Sequence, residues 1–351
     1  MSLDRLAIQL EPRTIASCVS LPPELEFMGN ALQHQVDVFE KARYANLIMG
    51  LSPTGTGKTK SGLSVILHQP MQNAVYIAPT NALVEQQREA AEKFVREAGL
   101  PHVVKSATAK DIKLWPDDKV GKRSGEKLYN VLRNPATVFD DVAENQPILL
   151  VTNPDIFYYA TFFGYNRLDR VNLAASFFAS FGTVIFDEFH LYDAKQLVAL
   201  LFYMAYSHIF GFFQHGRRIV LLTATPEKAC EAALETLAAQ GVKIARIDGE
   251  SDNGNCLPSQ TAINLELRQR PDNKEEWLRK LADDVVERLR EKPEQNGAVI
   301  LDALVHINDL YLLLKQRGFG DAIGRITGPA PKADRQRAMQ CQIILATSTV
   351  D

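Results

Sequence analysis

The sequence has few of the features that mark secreted, membrane-spanning or zinc-binding proteins. It has four cysteines in 351 residues and no CxxC pair, so we expect no disulfide framework, no zinc site and a reducing, cytoplasmic location. No apolar run approaches the roughly 20 residues that a membrane helix needs, and the charged N-terminus predicts no secretory signal. The formal net charge of −3 excludes a uniformly basic nucleic-acid-binding protein, so any contact with nucleic acid must depend on local loops.

Short β-branched runs alternate with longer helical stretches, a pattern typical of α/β proteins with a parallel sheet covered by helices. The first series has predicted strands at 46–50, 74–78, 147–152, 183–186 and 218–222, with an amphipathic helix at 81–98. A second series has strands at 297–301 and 342–346 and a helix at 308–317. The polar stretch 248–258 separates the two series and is predicted to be a linker.

The mixed-charge stretch from about 105 to 145 fits this alternation poorly. We interpret it as an insertion on the surface of the first domain. Two readings stay open: a solvated loop-and-helix decoration, which is favoured, and an element that grips DNA.

Aromatic residues are concentrated between 157 and 213. Packing of helices against the sheet is the favoured interpretation, and a docking surface for a partner protein or a base-stacking platform for a single strand stay open. Residues 197–213 are apolar nearly all round, which predicts a buried helix.

A phosphate-binding loop follows the first predicted strand. The residues Ser52-Pro53-Thr54-Gly55-Thr56-Gly57-Lys58-Thr59 lie between that strand and a helical stretch, which is the Walker A arrangement. The glycines let successive N–H groups face the phosphates, and the helix N-terminus adds partial positive charge. Lys58 is predicted to reach the outer phosphates of ATP and Thr59 to offer its hydroxyl to Mg²⁺. Ser52 replaces the usual first Gly or Ala of the motif but is still small.

Two adjacent carboxylates end the predicted strand at 183–186. Asp187 and Glu188 follow an apolar run and lie where parallel strands open toward a ligand-binding edge. Since neighbouring carboxylates repel, a divalent cation is their natural partner. We predict that Asp187 holds Mg²⁺, that Glu188 orients and deprotonates the attacking water, and that His190 senses the γ-phosphate region.

With these two motifs the sequence resembles the superfamily 2 helicases over roughly residues 31–351, and the other motifs occur in that family's order. The resemblance implies that Gln35 reads adenine and that the stretch 222–226 couples hydrolysis to domain movement through Thr223 and Thr225. Stretches 298–305 and 323–335 are similar to motif IV and to the segment before motif V. The implied nucleic-acid contacts belong to motifs Ia, Ib and V and are Pro79, Thr80, Asn81, Thr152, Asn153, Pro154, Asp155, Thr347, Ser348 and Thr349.

The resemblance implies two tandem RecA-like domains, the second incomplete, with ATP·Mg²⁺ between them. The predicted organisation is an N-terminal segment at 1–30, a first domain at 31–247, the linker at 248–258 and a second, partial domain at 259–351. An arginine-finger motif VI is absent from these residues, so we expect this chain to bind ATP but to turn it over slowly.

Within that superfamily the chain looks most like CRISPR-associated helicases, and this resemblance rests on the amino acids at 52–59, 78–86 and 187–190. No His-Asp pair occurs in the sequence, and only about 30 residues precede Gln35. The resemblance therefore implies a type I-D-like helicase that moves on single-stranded DNA, with a CRISPR RNA-guided surveillance complex and a separate HD nuclease subunit as partners. Two alternatives stay open: a DExH helicase acting on RNA or in DNA repair, and a nucleotide-dependent clamp without processive turnover.

Overall fold

The computed structural model describes residues 5–18, 20–162, 170–225, 228–249, 256–261, 263–268, 270–327 and 332–347. Two compact units are present, one formed by Glu11–Ala262 and the other by Met1–Leu10 together with Ile263–Asp351. Across the described ranges, no helix has both the length and the apolar character that crossing a bilayer demands.

A sheet of seven parallel strands forms the centre of the described part of the first unit. In their order across the sheet, the strands are β5 (Val103–Ala107), β6 (Ile148–Thr152), β4 (Ala74–Ile77), β7 (Thr183–Asp187), β8 (Arg218–Thr223), β3 (Leu47–Leu51) and β9 (Ile244–Asp248). Strands β4, β6 and β7 are buried along their whole length, because helices cover both faces of the sheet. This sheet confirms the predicted α/β class.

Two large apolar cores lie on opposite faces of this sheet, and a smaller cluster that includes Leu25 and Phe39 also belongs to the unit. One core is built on the first three helices, which are α1 (Gln33–Lys41), α2 (Lys58–Ser64) and α3 (Asn81–Glu97). The other core contains residues of each remaining described helix of the unit: α4 (Ala109–Leu114), α5 (Asp117–Val120), α6 (Ser124–Arg133), α7 (Pro154–Thr161), α8 (Leu173–Ser180), α9 (Ala194–Ile209) and α10 (Lys228–Ala239). A short antiparallel pair, β2 (Arg13–Ala16) with β10 (Cys256–Gln260), also belongs to this unit.

The second unit has a parallel sheet of three described strands, which in their order across the sheet are β12 (Gly297–Leu301), β14 (Ile343–Thr347) and β13 (Ile323–Ile326). A separate antiparallel pair is formed by β1 (Arg5–Leu10) and β11 (Ile263–Arg268). The described helices of this unit are α11 (Lys274–Glu291), α12 (Leu304–Gln316) and α13 (Lys332–Ala338). Its core is formed by apolar residues of the three-stranded sheet and of the first two helices, including Leu278, Ile307 and Leu345.

The predicted ends of the first domain differ from the observed elements. Asp248, the first residue of the predicted linker, ends β9, and the last linker residues, from Cys256, begin β10. The predicted N-terminal segment at 1–30 divides between the two units, because β1 pairs with β11 and β2 pairs with β10. Residues 250–255 of the linker lie outside the described residues.

The sequence favoured a solvated surface insertion at 105–145, and this prediction is wrong. The first residues of the stretch complete β5 in the main sheet, and Ile112 and Leu128 belong to the core on that face. The Lys127 side chain in this stretch is also buried. Its ammonium lies 2.6 Å from the Trp115 carbonyl and 2.6 Å from Asp117 Oδ1. A buried charge is tolerated when it is paired and hydrogen-bonded.

The helix predicted at 197–213 is only half buried. The corresponding α9 packs Leu200 and Tyr203 into the core, but it exposes Phe202 and Ile209 on its opposite side. Composition did not reveal this, since both sides of the helix are apolar. In the preceding aromatic cluster, Phe157, Phe177, Phe178 and Phe181 are buried in the core, Phe162 is half exposed, and Phe163 and Tyr165 lie outside the described residues.

Candidate ATP site and nucleic-acid interface

The phosphate loop connects β3 to the first turn of α2, at the carboxyl edge of the sheet. Gly55 and Gly57 have φ angles of 82° and 76°, in the left-handed region that a side chain disfavours. A Cβ atom at Gly57 would collide with the side-chain amide of Gln35. Thr56 closes the loop with a hydrogen bond from its hydroxyl to the Pro53 carbonyl (2.7 Å), while Thr54 is exposed at the loop's tip.

Lys58 joins this loop to the paired carboxylates. Its ammonium lies 2.7 Å from Glu188 Oε1 and donates a hydrogen bond to the Ser52 carbonyl at 3.1 Å. The Lys58 side chain is 7% exposed, so its charge acts in a medium that screens it weakly. A buried cation beside a loop of inward-facing amides is suited to polyphosphate.

Asp187 and Thr59, the two predicted Mg²⁺ ligands, meet at one phenol. The Tyr76 hydroxyl donates to Asp187 Oδ2 at 2.6 Å and lies 3.5 Å from Thr59 Oγ1. Burial raises the pKa of Asp187 to about 6, against the opposing effect of the Tyr76 hydrogen bond. A second acidic group, Glu188, raises the pKa further, so a divalent cation at these oxygens would relieve their repulsion. The residues therefore fit Mg²⁺.

Glu188 directs an unsatisfied oxygen into the site. Its backbone adopts the left-handed conformation, with φ 43°, which is strained for a residue with a side chain. Its Oε2 atom is buried and accepts no hydrogen bond from the residues that the structure describes; His190 Nδ1 lies 3.4 Å away. Strain and an orphaned carboxylate oxygen together mark a position shaped for chemistry.

His190 connects the carboxylates to the end of β8. Its Nδ1 lies 2.8 Å from Thr223 Oγ1, and Thr223 Oγ1 in turn donates to the Thr225 carbonyl at 2.8 Å. Because the Thr223 hydroxyl donates its proton to the Thr225 carbonyl, it can only accept from His190, so we assign the His190 proton to Nδ1. The two predicted coupling residues thus bond to each other and to the carboxylate segment.

Gln35 holds the phosphate loop from the side of α1. Its amide nitrogen donates to the Gly57 carbonyl at 3.0 Å, and its amide oxygen accepts from the Leu32 N–H at 2.9 Å. His34, for which no role was predicted, bonds to the Thr56 carbonyl at 3.0 Å, and burial lowers its pKa. Both side chains fix the loop's backbone, and a contact of Gln35 with adenine stays a prediction.

The residues of motifs Ia and Ib lie together at the ends of β4 and β6. Asn153 Nδ2 donates to Asn81 Oδ1 at 2.6 Å, and the Ala78 N–H donates to the Thr152 carbonyl at 2.8 Å. Thr80 accepts from the Leu83 N–H as the N-cap of α3. Two helix N-termini are thereby joined side by side, since Asn153 caps α7 through the Ile156 N–H.

The remaining predicted contacts differ in accessibility. The Thr152 side chain is fully buried and donates to the Ala107 carbonyl at 2.7 Å. Pro154 begins α7, and Asp155 accepts from Gln196 Nε2 at 2.8 Å. Thr347 ends β14 in the second unit, while Ser348 and Thr349 lie outside the described residues.

The model of the DEAD/DEAH box helicases matches residues 32–233, more than half of the sequence, so the chain belongs to this family. This confirms the superfamily 2 part of the prediction; CRISPR membership stays a prediction. Among curated proteins, the chain is similar to the DEAD-box ATP-dependent RNA helicase CshC of Bacillus cereus, at 24% identity over 313 residues, covering 86% of this chain and 65% of that protein.

Two solved helicases share the fold. The DUF1998 helicase MrfA, bound to DNA and AMPPNP, superposes with a TM-score of 0.65 at 16% identity, over 97% of this chain and 46% of its own. Dbp5 of S. cerevisiae, bound to RNA and ADP BeF3, superposes with a TM-score of 0.55 at 14% identity, over 94% and 75%. The chain therefore spans about half the length of MrfA and 65% of CshC.

Proposed function

We propose that this chain is the ATP-hydrolysing motor of a helicase that moves on single-stranded DNA and unwinds duplex DNA. The observation that carries the proposal is the group at the phosphate loop that buried Lys58 and Asp187 form with half-buried Glu188 and Thr59. Such a group combines the charges that phosphoryl transfer from ATP to water requires.

Each residue of the group has a distinct part in hydrolysis. Lys58 balances the charge of the outer phosphates, and Thr59 and Asp187 would hold Mg²⁺, which when bound supplies Lewis-acid polarisation of the phosphates. Glu188 Oε2, buried and without a hydrogen bond among the described residues, accepts the proton of the attacking water. His190 passes the state of the site to Thr223 and Thr225 through the 2.8 Å contact.

The paired N-termini of α3 and α7 support a role in gripping a nucleic-acid backbone. Helix N-termini carry partial positive charge and free N–H groups, which suit phosphates whatever the base sequence. The hydrogen bond between Asn153 and Asn81 fixes the two helix N-termini beside each other. A chain with net charge −3 would need such local sites to bind a polyanion.

DNA is our preferred substrate, and CRISPR defence our preferred setting. The structural similarity to MrfA over nearly the whole chain supports DNA as the substrate. The amino-acid sequences of the motifs resemble those of CRISPR-associated helicases. In that setting the motor would join a CRISPR RNA-guided surveillance complex and deliver DNA to a separate HD nuclease subunit. RNA is the second candidate, favoured by the similarity to the RNA helicase CshC.

The test is ATP hydrolysis by the full-length protein, alone and with single-stranded DNA or RNA of the same sequence. Glu188→Gln keeps the shape of the side chain but removes its basicity, and we expect turnover to fall about 100-fold or more while ATP binding persists. Glu97→Gln, on an exposed ion pair of α3, is the matched control and should behave as the wild type.

Stimulation by DNA alone that is lost in Glu188→Gln supports the DNA motor. Stimulation by RNA alone replaces DNA with RNA as the substrate. Nucleotide-dependent binding without any hydrolysis in the full-length protein rejects the motor and favours a clamp.

A further inference from the structure

Tyr192 lies five residues after Asp187, yet its side chain reaches the neighbouring strand β4. Its hydroxyl donates to the Ile77 carbonyl at 3.1 Å, and the residue is 9% exposed. The two residues are joined by left-handed Glu188 and a 3₁₀ turn at Phe189–Leu191. Because β4 and β7 are parallel neighbours, this turn lies at the same edge of the sheet as the end of β4.

Ile77 is the last residue of β4, and only Ala78 separates it from the turn at Pro79 and Thr80 that leads to Asn81 at the start of α3. The carbonyl that Tyr192 holds is therefore at the start of the proposed backbone-gripping turn. On the preceding residue, the Tyr76 hydroxyl holds Asp187 at 2.6 Å. Two hydrogen bonds, from consecutive positions of one strand, thus tie this turn to the carboxylate segment.

We propose that Tyr192 is a positioning residue that couples nucleic-acid binding at the turn to the geometry of Glu188. A shift of the Ile77 carbonyl is transmitted through the Tyr192 hydroxyl to a segment of only four residues that includes Glu188. Since Glu188 is held in a strained conformation, its position depends on the contacts at both ends of that segment. This inference rests on the proposed function.

Tyr192→Phe tests the coupling, because it removes one hydroxyl and keeps the ring. The matched control is Tyr203→Phe, since Tyr203 in α9 has a buried hydroxyl with no hydrogen-bond partner among the described residues. Both variants lose the same atom from the same unit, but only the first loses a link to the turn.

The readout is the dissociation constant of the full-length protein for a fluorescein-labelled single-stranded DNA, with and without a non-hydrolysable ATP analogue. The ratio of the two constants measures the coupling, which is reciprocal between the two ligands. We expect Tyr192→Phe to reduce this ratio about fivefold, the size of one lost neutral hydrogen bond. Its affinity for the analogue alone should stay within about twofold of the wild type, and Tyr203→Phe should keep the full ratio. Hydrolysis stimulated by the DNA should fall more in Tyr192→Phe than basal hydrolysis does.

An unchanged ratio in Tyr192→Phe overturns the inference, as does an equal loss of basal and stimulated hydrolysis, which would show structural support alone. If the wild type itself shows no coupling with DNA or with RNA of the same sequence, the proposed function fails first. Should Tyr192→Phe not fold, hydrogen exchange of the wild type decides. Nucleic acid without nucleotide should then slow exchange at Phe189–Tyr192, and unchanged exchange there overturns the inference.

Discussion

At the scale of single residues, Asp187 links protonation to stability. Burial raises its pKa from 3.8 to about 6, chiefly because the carboxylate loses hydration. Its folded-state pKa lies above its unfolded-state value, so its contribution to stability is complete below the unfolded value and is lost as pH rises through about 6. At neutral pH the buried charge therefore destabilises the protein when no cation is present.

Asp187→Asn should consequently stabilise the protein in metal-free, nucleotide-free buffer at pH 7.5. We expect an increase of about 1–3 kcal/mol in the free energy of unfolding, because the uncharged amide can still accept from Tyr76 and costs less to bury than a carboxylate. Thermal denaturation between pH 4 and 8 is the measurement, and the advantage should shrink as pH falls below 6. Asp193→Asn is the control, since Asn caps α9 as well as Asp does. A melting temperature for Asp187→Asn that is unchanged or lower at pH 7.5 would contradict the prediction.

The grouping of the predicted ATP-site residues, though not their roles, follows from short local motifs in the sequence. Lys58, Thr59, Asp187 and Glu188 lie within two short motifs, and the structure places them together. Tyr76 and Tyr192 could not be predicted, because their partners are 111 and 115 positions away along the chain. A tyrosine in an apolar stretch gives no local signal that separates a core position from a hydrogen-bonding one.

At the scale of elements, the central strands were predictable and the outer ones were not. Strands β4, β6 and β7 are buried on both faces and appear in the sequence as continuous apolar runs. The outer strands β5 and β9 carry partly exposed or charged positions such as Lys105 and Arg246, so they lack that signal. The error at 105–145 has this cause, since the strand at its start was hidden by its own polar residues.

The junction between β3 and α2 depends on the backbone of Gly57. Gly57→Ala should reduce ATP affinity at least tenfold, because φ 76° is strained for alanine and the new methyl would displace the Gln35 amide from the loop. Titration with a fluorescent ATP analogue measures the loss. Gly99→Ala is the control for strain alone, since Gly99 has φ 65° but open space around a Cβ. That control should lower the melting temperature while binding ATP as the wild type does, and equal affinities in both variants would show that the loop tolerates the methyl.

At the scale of the whole chain, the N-terminus completes a sheet formed with residues more than 250 positions away, which no local pattern could indicate. In this pair Leu6, Ile8 and Leu10 lie opposite Leu267, Leu265 and Ile263, so six apolar side chains share one face. A two-stranded sheet is marginally stable in water. The formation of strand β11 therefore depends strongly on its pairing with β1.

Removal of residues 1–10 should disorder β11 while leaving the ATP site intact. Every contact described for the phosphate loop and the paired carboxylates lies within Glu11–Ala262, so ATP affinity should stay within about twofold of the wild type. Limited proteolysis should instead cut faster within Ile263–Arg268, because the backbone hydrogen bonds of that strand to β1 are lost. Removal of residues 1–4 is the matched control, since β1 begins at Arg5. If the longer deletion is cut no faster than the shorter one, β1 is not what orders β11; if it also loses ATP binding, the ATP site depends on the N-terminal strand as well.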